Sequence, residues 1–106
     1  MKLKQIDNEY TLLKILKDNP DITQRELSRE LGLSLGKTNY LIHALMSKGW
    51  VKLNNFKRSN NKLGYLYVIT PKGIEEKSIL AKNFLERKSA QYIKLKKEIE
   101  ILKSEQ

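Results

Sequence analysis

Thr23-Gln24-Arg25-Glu26-Leu27-Ser28-Arg29-Glu30-Leu31-Gly32-Leu33-Ser34 reads as one short helix, its stop, and the cap of the next. Thr23 and Glu26 form a capping box: the threonine hydroxyl accepts from the Glu26 amide, and the glutamate reaches back to the cap. Ile22, just before the cap, is placed to staple onto Leu27. Gly32 ends the helix, because glycine takes the left-handed conformation without a Cβ penalty. After the turn Gly32-Leu33-Ser34, the hydroxyl of Ser34 caps a third helix over 34–48. Its inner face at helical spacing is Leu35, Thr38, Leu41, Ile42 and Leu45, and its outer face is Gly36, Lys37, Asn39, Tyr40 and His43. Gly49 stops it. Two helices joined by a tight turn, the second carrying short polar groups near its start, make a helix-turn-helix.

Upstream, a first helix is expected over about 8–17, with Asp7 or Asn8 as cap. Tyr10, Leu13, Leu16 and Lys17 share a face that Leu12 and Ile15 widen, and Asn19-Pro20-Asp21 ends the helix. Downstream, residues 50–56 and 63–69 read as strands around the basic turn Lys57-Arg58-Ser59-Asn60-Asn61-Lys62. Trp50, Phe56 and Tyr67 read as core side chains rather than base-stacking groups. Thr70-Pro71 opens a last helix that runs to about residue 103, roughly 50 Å at ~1.5 Å per residue. Along it Ile74, Ser78, Ala81, Leu85, Lys88, Tyr92, Leu95, Ile99 and Leu102 alternate spacings of four and three, a heptad seam. Ile79, Leu80, Phe84, Ile93 and Ile101 lie off it and form a second apolar surface. The seam serves either a second chain or packing against the chain's own first part. The expected fold is mainly α with a small β-hairpin. Residues 1–70 form a winged helix-turn-helix domain, and residues 71–106 form a long, coiled-coil-like dimerisation helix.

Charge points to a partner. The formal net charge is +9, and +7 of it falls in residues 31–74, which hold Lys37, Lys48, Lys52, Lys57, Arg58, Lys62 and Lys72 and no Asp or Glu. A block of one sign attracts a polyanion and steers it by its field. Other functions lack support. The chain has no cysteine and one histidine, His43, so disulfides, thiol chemistry and multi-histidine zinc sites are excluded, and no cofactor is expected. No phosphate-binding glycine loop or nucleophile–base pair is visible, so no enzymatic activity is expected. Neither a signal peptide nor a membrane-spanning run is present, and the basic charge centres on a hairpin rather than on one face of an amphipathic helix. The expectation is a cytoplasmic protein without membrane contact.

The stretch 23–34, followed by Lys37-Thr38-Asn39-Tyr40, Lys48-Gly49-Trp50-Val51, Asn55-Phe56, Asn61-Lys62-Leu63, Tyr65 and Thr70-Pro71-Lys72-Gly73-Ile74, resembles the MarR-type winged helix-turn-helix regulators. Within these it looks like the short branch associated with bacterial exopolysaccharide (EPS) gene clusters. The resemblance covers nearly the whole chain. It implies a homodimeric transcriptional regulator of double-stranded DNA with a near-palindromic operator. The helix 34–48 would lie in the major groove, and the wing 57–62 would lie on the backbone or in the minor groove. Many such proteins carry an additional N-terminal helix before the first helix found here, so dimerisation would rest mainly on Ala81, Leu85, Tyr92, Leu95, Ile99 and Leu102. No residue marks a small-molecule effector site.

The residue chemistry agrees with that reading. Asn39 suits a bidentate pair with adenine, and Lys37 suits donation to guanine. Gly36 permits close approach of the backbone to phosphate, beside a helix N-terminus that favours anions. Tyr40 and His43 suit phosphate or a thymine methyl. Lys57, Arg58 and Lys62 suit phosphate or a narrow minor groove, and Asn60 and Asn61 suit the turn. With Ser34 and Thr38 these make up the candidate DNA-contacting set. The competing reading is a winged-helix protein-interaction module with the last helix as its docking element.

Overall fold

The computed structural model describes residues 2–54 and 66–106. Four helices and two strands follow the order α1 (Lys2–Asp18), α2 (Gln24–Leu31), α3 (Leu35–Ser47), β1 (Val51–Asn54), β2 (Leu66–Ile69) and α4 (Pro71–Ser104). The fold is mainly helical, with a two-stranded antiparallel hairpin and a long C-terminal helix, as the sequence predicts.

Local chemistry sets most boundaries where the sequence places them. At α2 the Thr23 hydroxyl accepts from the Glu26 amide at 3.2 Å, and Glu26 Oε1 accepts from the Thr23 amide at 3.1 Å. Gly32 closes α2 at φ +68°, with its own amide bonded to Arg29 O and the Leu33 amide to Ser28 O. Gly49 closes α3 at φ +77° in the same way, through Gly49 N to Met46 O and Trp50 N to Leu45 O. Both are Schellman closures, which satisfy carbonyls that a helix end leaves unpaired. Ser34 caps α3 and Thr70 caps α4, each accepting an amide three residues on.

The first helix departs from expectation. It begins at Lys2, so neither Asp7 nor Asn8 is a cap. Lys, Leu and Gln are good helix formers, and propensity carries the helix back past the two residues that look like caps. On its inner face Leu12, Leu13 and Leu16 are buried, whereas Lys17 is exposed. Within the described residues β1 begins one residue later than expected, at Val51, and β2 occupies 66–69 as expected; the expected strand residues 55–56 and 63–65 lie outside the described residues. Val51 pairs with Ile69 and Leu53 with Tyr67.

The core joins every element except the distal part of α4. Leu12, Leu13 and Leu16 of α1 meet Ile22, Leu27 of α2, Leu41, Ile42 and Leu45 of α3, and Val51 and Tyr67 of the strands. Ile22 and Leu27 are both buried in it, in keeping with a staple at the α2 entry. Trp50 packs against it partly buried, so Trp50 and Tyr67 are core groups as expected, while Phe56 lies outside the described residues.

α4 packs through its off-seam surface. Leu80 reaches the core, and the Phe84 ring lies 5.3 Å from that of Tyr10. The Arg87 guanidinium pairs with the Asp7 carboxylate. The seam faces away from this contact. Leu85 and Tyr92 are each 65% exposed, and Leu95, Ile99 and Leu102 are exposed as well. Among the described residues the first part of the chain therefore does not cover the distal seam.

The start of α4 is sterically tight. A Cβ on Gly73 would sit 2.1 Å from Trp50 O and 2.8 Å from Ile69 Cγ1. Because Trp50 O is backbone and also accepts the Thr70 amide at 2.9 Å, it cannot yield without loss of that bond. Gly73→Ala is expected to destabilise the fold by about 1–3 kcal/mol, as overpacking does, and chemical denaturation checks this as a lower midpoint.

Candidate nucleic-acid interface

α3 follows α2 after a three-residue turn, and the core fixes its orientation. Thr38, Leu41, Ile42 and Leu45 point inward and anchor it. Gly36, Lys37, Asn39, Tyr40 and His43 all remain exposed on the opposite face, with Tyr40 72% exposed. No acidic residue occurs in the helix. Two expectations are corrected here. Leu35 is not an inner-face residue; it is 47% exposed at the helix start beside Gly36. Thr38, in the candidate DNA-contacting set, is fully buried, and its hydroxyl donates to Ser34 O at 2.9 Å. It holds the first turn of the helix and cannot touch a base edge. Ser34 is exposed, but its hydroxyl is engaged by the Lys37 amide at 3.1 Å.

The basic block is divided by the tertiary structure. Lys48 Nζ lies 2.8 and 3.2 Å from the two oxygens of Glu9, whose side chain is buried. The same ammonium lies 4.6 Å from the Trp50 ring centroid. Lys48 is thus neutralised by a carboxylate 39 residues earlier and belongs to the scaffold. Lys37, Lys52 and Lys72 are exposed and have no acidic partner among the described residues. Lys57, Arg58, Asn60, Asn61 and Lys62 lie outside the described residues.

The early start of α1 adds residues to this face that the sequence reading missed. Lys4, Gln5 and Asn8 of α1 line one groove of about 350 Å³ with Leu33, Lys37, Tyr40 and Leu41. Lys4 and Asn8 stand four residues apart, on one face of the helix. The helix-forming residues ahead of Asp7 were the available signal for them. Of the seam residues, Leu85, Tyr92, Leu95, Ile99 and Leu102 present side chains to solvent, and Ala81 is half-buried. Among the described residues no group of three or more His, Asp or Glu side chains is placed to hold a metal ion, and no helix is long and apolar enough to cross a membrane.

Removing Lys48 strands the buried Glu9 carboxylate, whereas removing both leaves no unpaired charge. Lys48→Ala is expected to cost about 1–2 kcal/mol, and Glu9→Gln/Lys48→Ala less than the two single changes together. Equilibrium unfolding of the four proteins checks the cycle.

Comparison with known proteins agrees with this geometry. Residues 7–52 match the family described as winged helix-turn-helix DNA-binding. No curated protein sequence matches the chain. Among solved structures, the PcaV transcriptional regulator from Streptomyces coelicolor superposes with a TM-score of 0.70 at 17% identity, over 78% of this chain and 60% of that one. A MarR protein from Peptoclostridium difficile is 28% identical, with a TM-score of 0.63 over 77% of this chain and 51% of its own. Streptococcus pneumoniae FabT, solved in complex with DNA, gives 0.61 at 22% identity, over 80% and 57%. The chain spans between half and three-fifths of the length of these structures. Over residues 7–52 the chain matches the winged helix-turn-helix DNA-binding family, and its fold is that of the MarR-type regulators.

Proposed function

We propose that the protein is a sequence-specific, double-stranded DNA-binding transcriptional regulator of the MarR type that acts as a homodimer. One observation carries this reading: α3 buries one face completely and presents on the other only neutral or basic groups, Lys37, Asn39, Tyr40 and His43, with no acidic side chain. A helix so built fits the major groove, where Asn39 pairs with adenine and Lys37 with guanine. Leu35, exposed at the helix start, offers an apolar contact for a thymine methyl. Among the described residues Gly36 has nothing within 4 Å of a built Cβ, so none of them requires a glycine there. A glycine in this first turn permits close approach of the backbone to phosphate. The wing residues Lys57, Arg58 and Lys62 take the backbone or the minor groove, and Lys52 and Lys72 add to the field that draws DNA in. Two such domains in one dimer place their recognition helices about one helical turn apart, ~34 Å, on a near-palindromic operator. The protein acts in the bacterial cytoplasm, and the resemblance to the EPS-associated branch makes exopolysaccharide genes its candidate targets.

Selection of bound duplexes from a random pool at about 150 mM salt tests this, because phosphate-only binding is weak there. A palindromic motif is expected. Absence of any enrichment would overturn sequence-specific binding and leave protein interaction as the better reading. On the selected site Asn39→Ala is expected to cost about 1–3 kcal/mol in specific binding with little change off-site. Gly36→Ala separates folding from binding. It should stabilise the helix by up to about 1 kcal/mol while weakening operator affinity, and thermal melts beside binding isotherms check both.

A further inference from the structure

The exposed seam of α4 carries enough chemistry to state how a second copy is oriented; this rests on the homodimer reading above. Every residue from Lys88 to Gln106 is exposed, so among the described residues no other element covers this segment. In the heptad, Tyr92 and Ile99 take the first core position, and Leu95 and Leu102 the second. At the second of these heptads β-branched Ile99 with Leu102 is the pairing that favours two parallel strands, while Tyr92 fills the first core position of the other as a bulky aromatic. The flanks are charged unequally. Lys96 and Lys103 follow the second core position, while Glu98 and Glu105 precede the first. With parallel, in-register helices, Glu98 lies across from Lys103 of the second copy, twice by symmetry. Antiparallel overlap of the same segment sets the lysine flank against the lysine flank and the glutamate flank against the glutamate flank.

We propose that residues 92–106 zip in parallel and in register with the same residues of a second copy, which leaves both winged domains at one end of the rod. The seam's polar residues agree. Lys88 Nζ lies 5.2 Å from the Phe84 ring of its own chain, drawn away from the seam. Lys77 and Lys82 would face each other across a parallel pair, and Lys77 sits 5.8 Å from its own Tyr10 ring. The helices therefore diverge toward Pro71, which gives the two domains room. Parallel pairing presents both recognition helices to one DNA duplex, whereas antiparallel pairing would send them to opposite ends of the rod.

The chain has no cysteine, so single substitutions report pairing without interference. Tyr92→Cys and Ile99→Cys, each alone in the full chain under mild oxidation, are expected to form same-site disulfide dimers, and Ile101→Cys, off the seam, only slowly. Same-site bonds at both positions cannot arise from one antiparallel register, because the two sites lie seven residues apart, about 10 Å. Glu98→Lys is expected to weaken self-association roughly five-fold, and Glu98→Lys/Lys103→Glu to restore it. Sedimentation of the unmodified chain separates the two readings. A monomer would overturn the homodimer itself. A dimer that crosslinks only in mixtures, such as Leu95→Cys with Ile99→Cys, would overturn the parallel orientation and leave the homodimer standing.

Discussion

The architecture depends on one close approach. Gly73, in the first turn of α4, lies against the carbonyl of Trp50 with no room for a Cβ. That carbonyl also accepts the Thr70 amide, and the Thr70 hydroxyl donates to Gly49 O at 2.6 Å while accepting from the Gly73 amide. The end of α3, the start of β1, the end of β2 and the start of α4 therefore meet within a few residues. Hydrogen-bonded backbone is stiff, and the long helix leaves this joint in one direction. Small tilts here would be magnified along its 34 residues.

That direction decides which face of α4 is spent inside the chain. Leu80, Phe84 and Arg87 come down on α1, with Tyr10 and Asp7 as partners. The heptad seam is turned outward as a consequence. One helix thus does two jobs on two faces: it braces the winged domain through its proximal half and offers an apolar stripe through its distal half. The same joint positions α3, because α3 ends at the Gly49–Trp50 turn on which α4 rests. The outward face of α3 and the exposed seam of α4 are in this way tied to a common piece of backbone.

The pairing of Glu9 with Lys48 makes a different connection. It spans from α1 to the end of α3 and removes one cation from a segment that looks uniformly basic along the chain. Of the cations in residues 31–74, those that stay exposed without an acidic partner are Lys37, Lys52 and Lys72 among the described residues. A charge count along the sequence measures attraction to a polyanion only after such internal pairs are set aside.

Much of the fold was legible because its signals are local. Thr23 and Glu26, Gly32, Ser34, Gly49 and Thr70-Pro71 act through bonds within a few residues, so their effect can be read before any tertiary contact is known. The outward face of α3 was legible for the same reason, since periodicity alone separates it from Leu41, Ile42 and Leu45. Where two local signals competed, the reading failed: Asp7 and Asn8 look like caps, yet helix propensity carries α1 back to Lys2. Assignments that needed a neighbour distant in sequence were out of reach. Thr38 was placed on the inner face by periodicity yet also among the DNA-contacting residues by its type, and its burial settles it on the inner face. The groove that joins Lys4 and Asn8 to Lys37 and Tyr40 exists only once α1 and α3 lie side by side. The sequence by itself determined the order of the elements, the ends set by local caps and glycine stops, and the neutral and basic chemistry of the outward face of α3, because these act over a few residues. The tertiary structure decided which surface of α4 is buried and which cation is neutralised, because both depend on groups dozens of residues apart that only the folded core brings into contact.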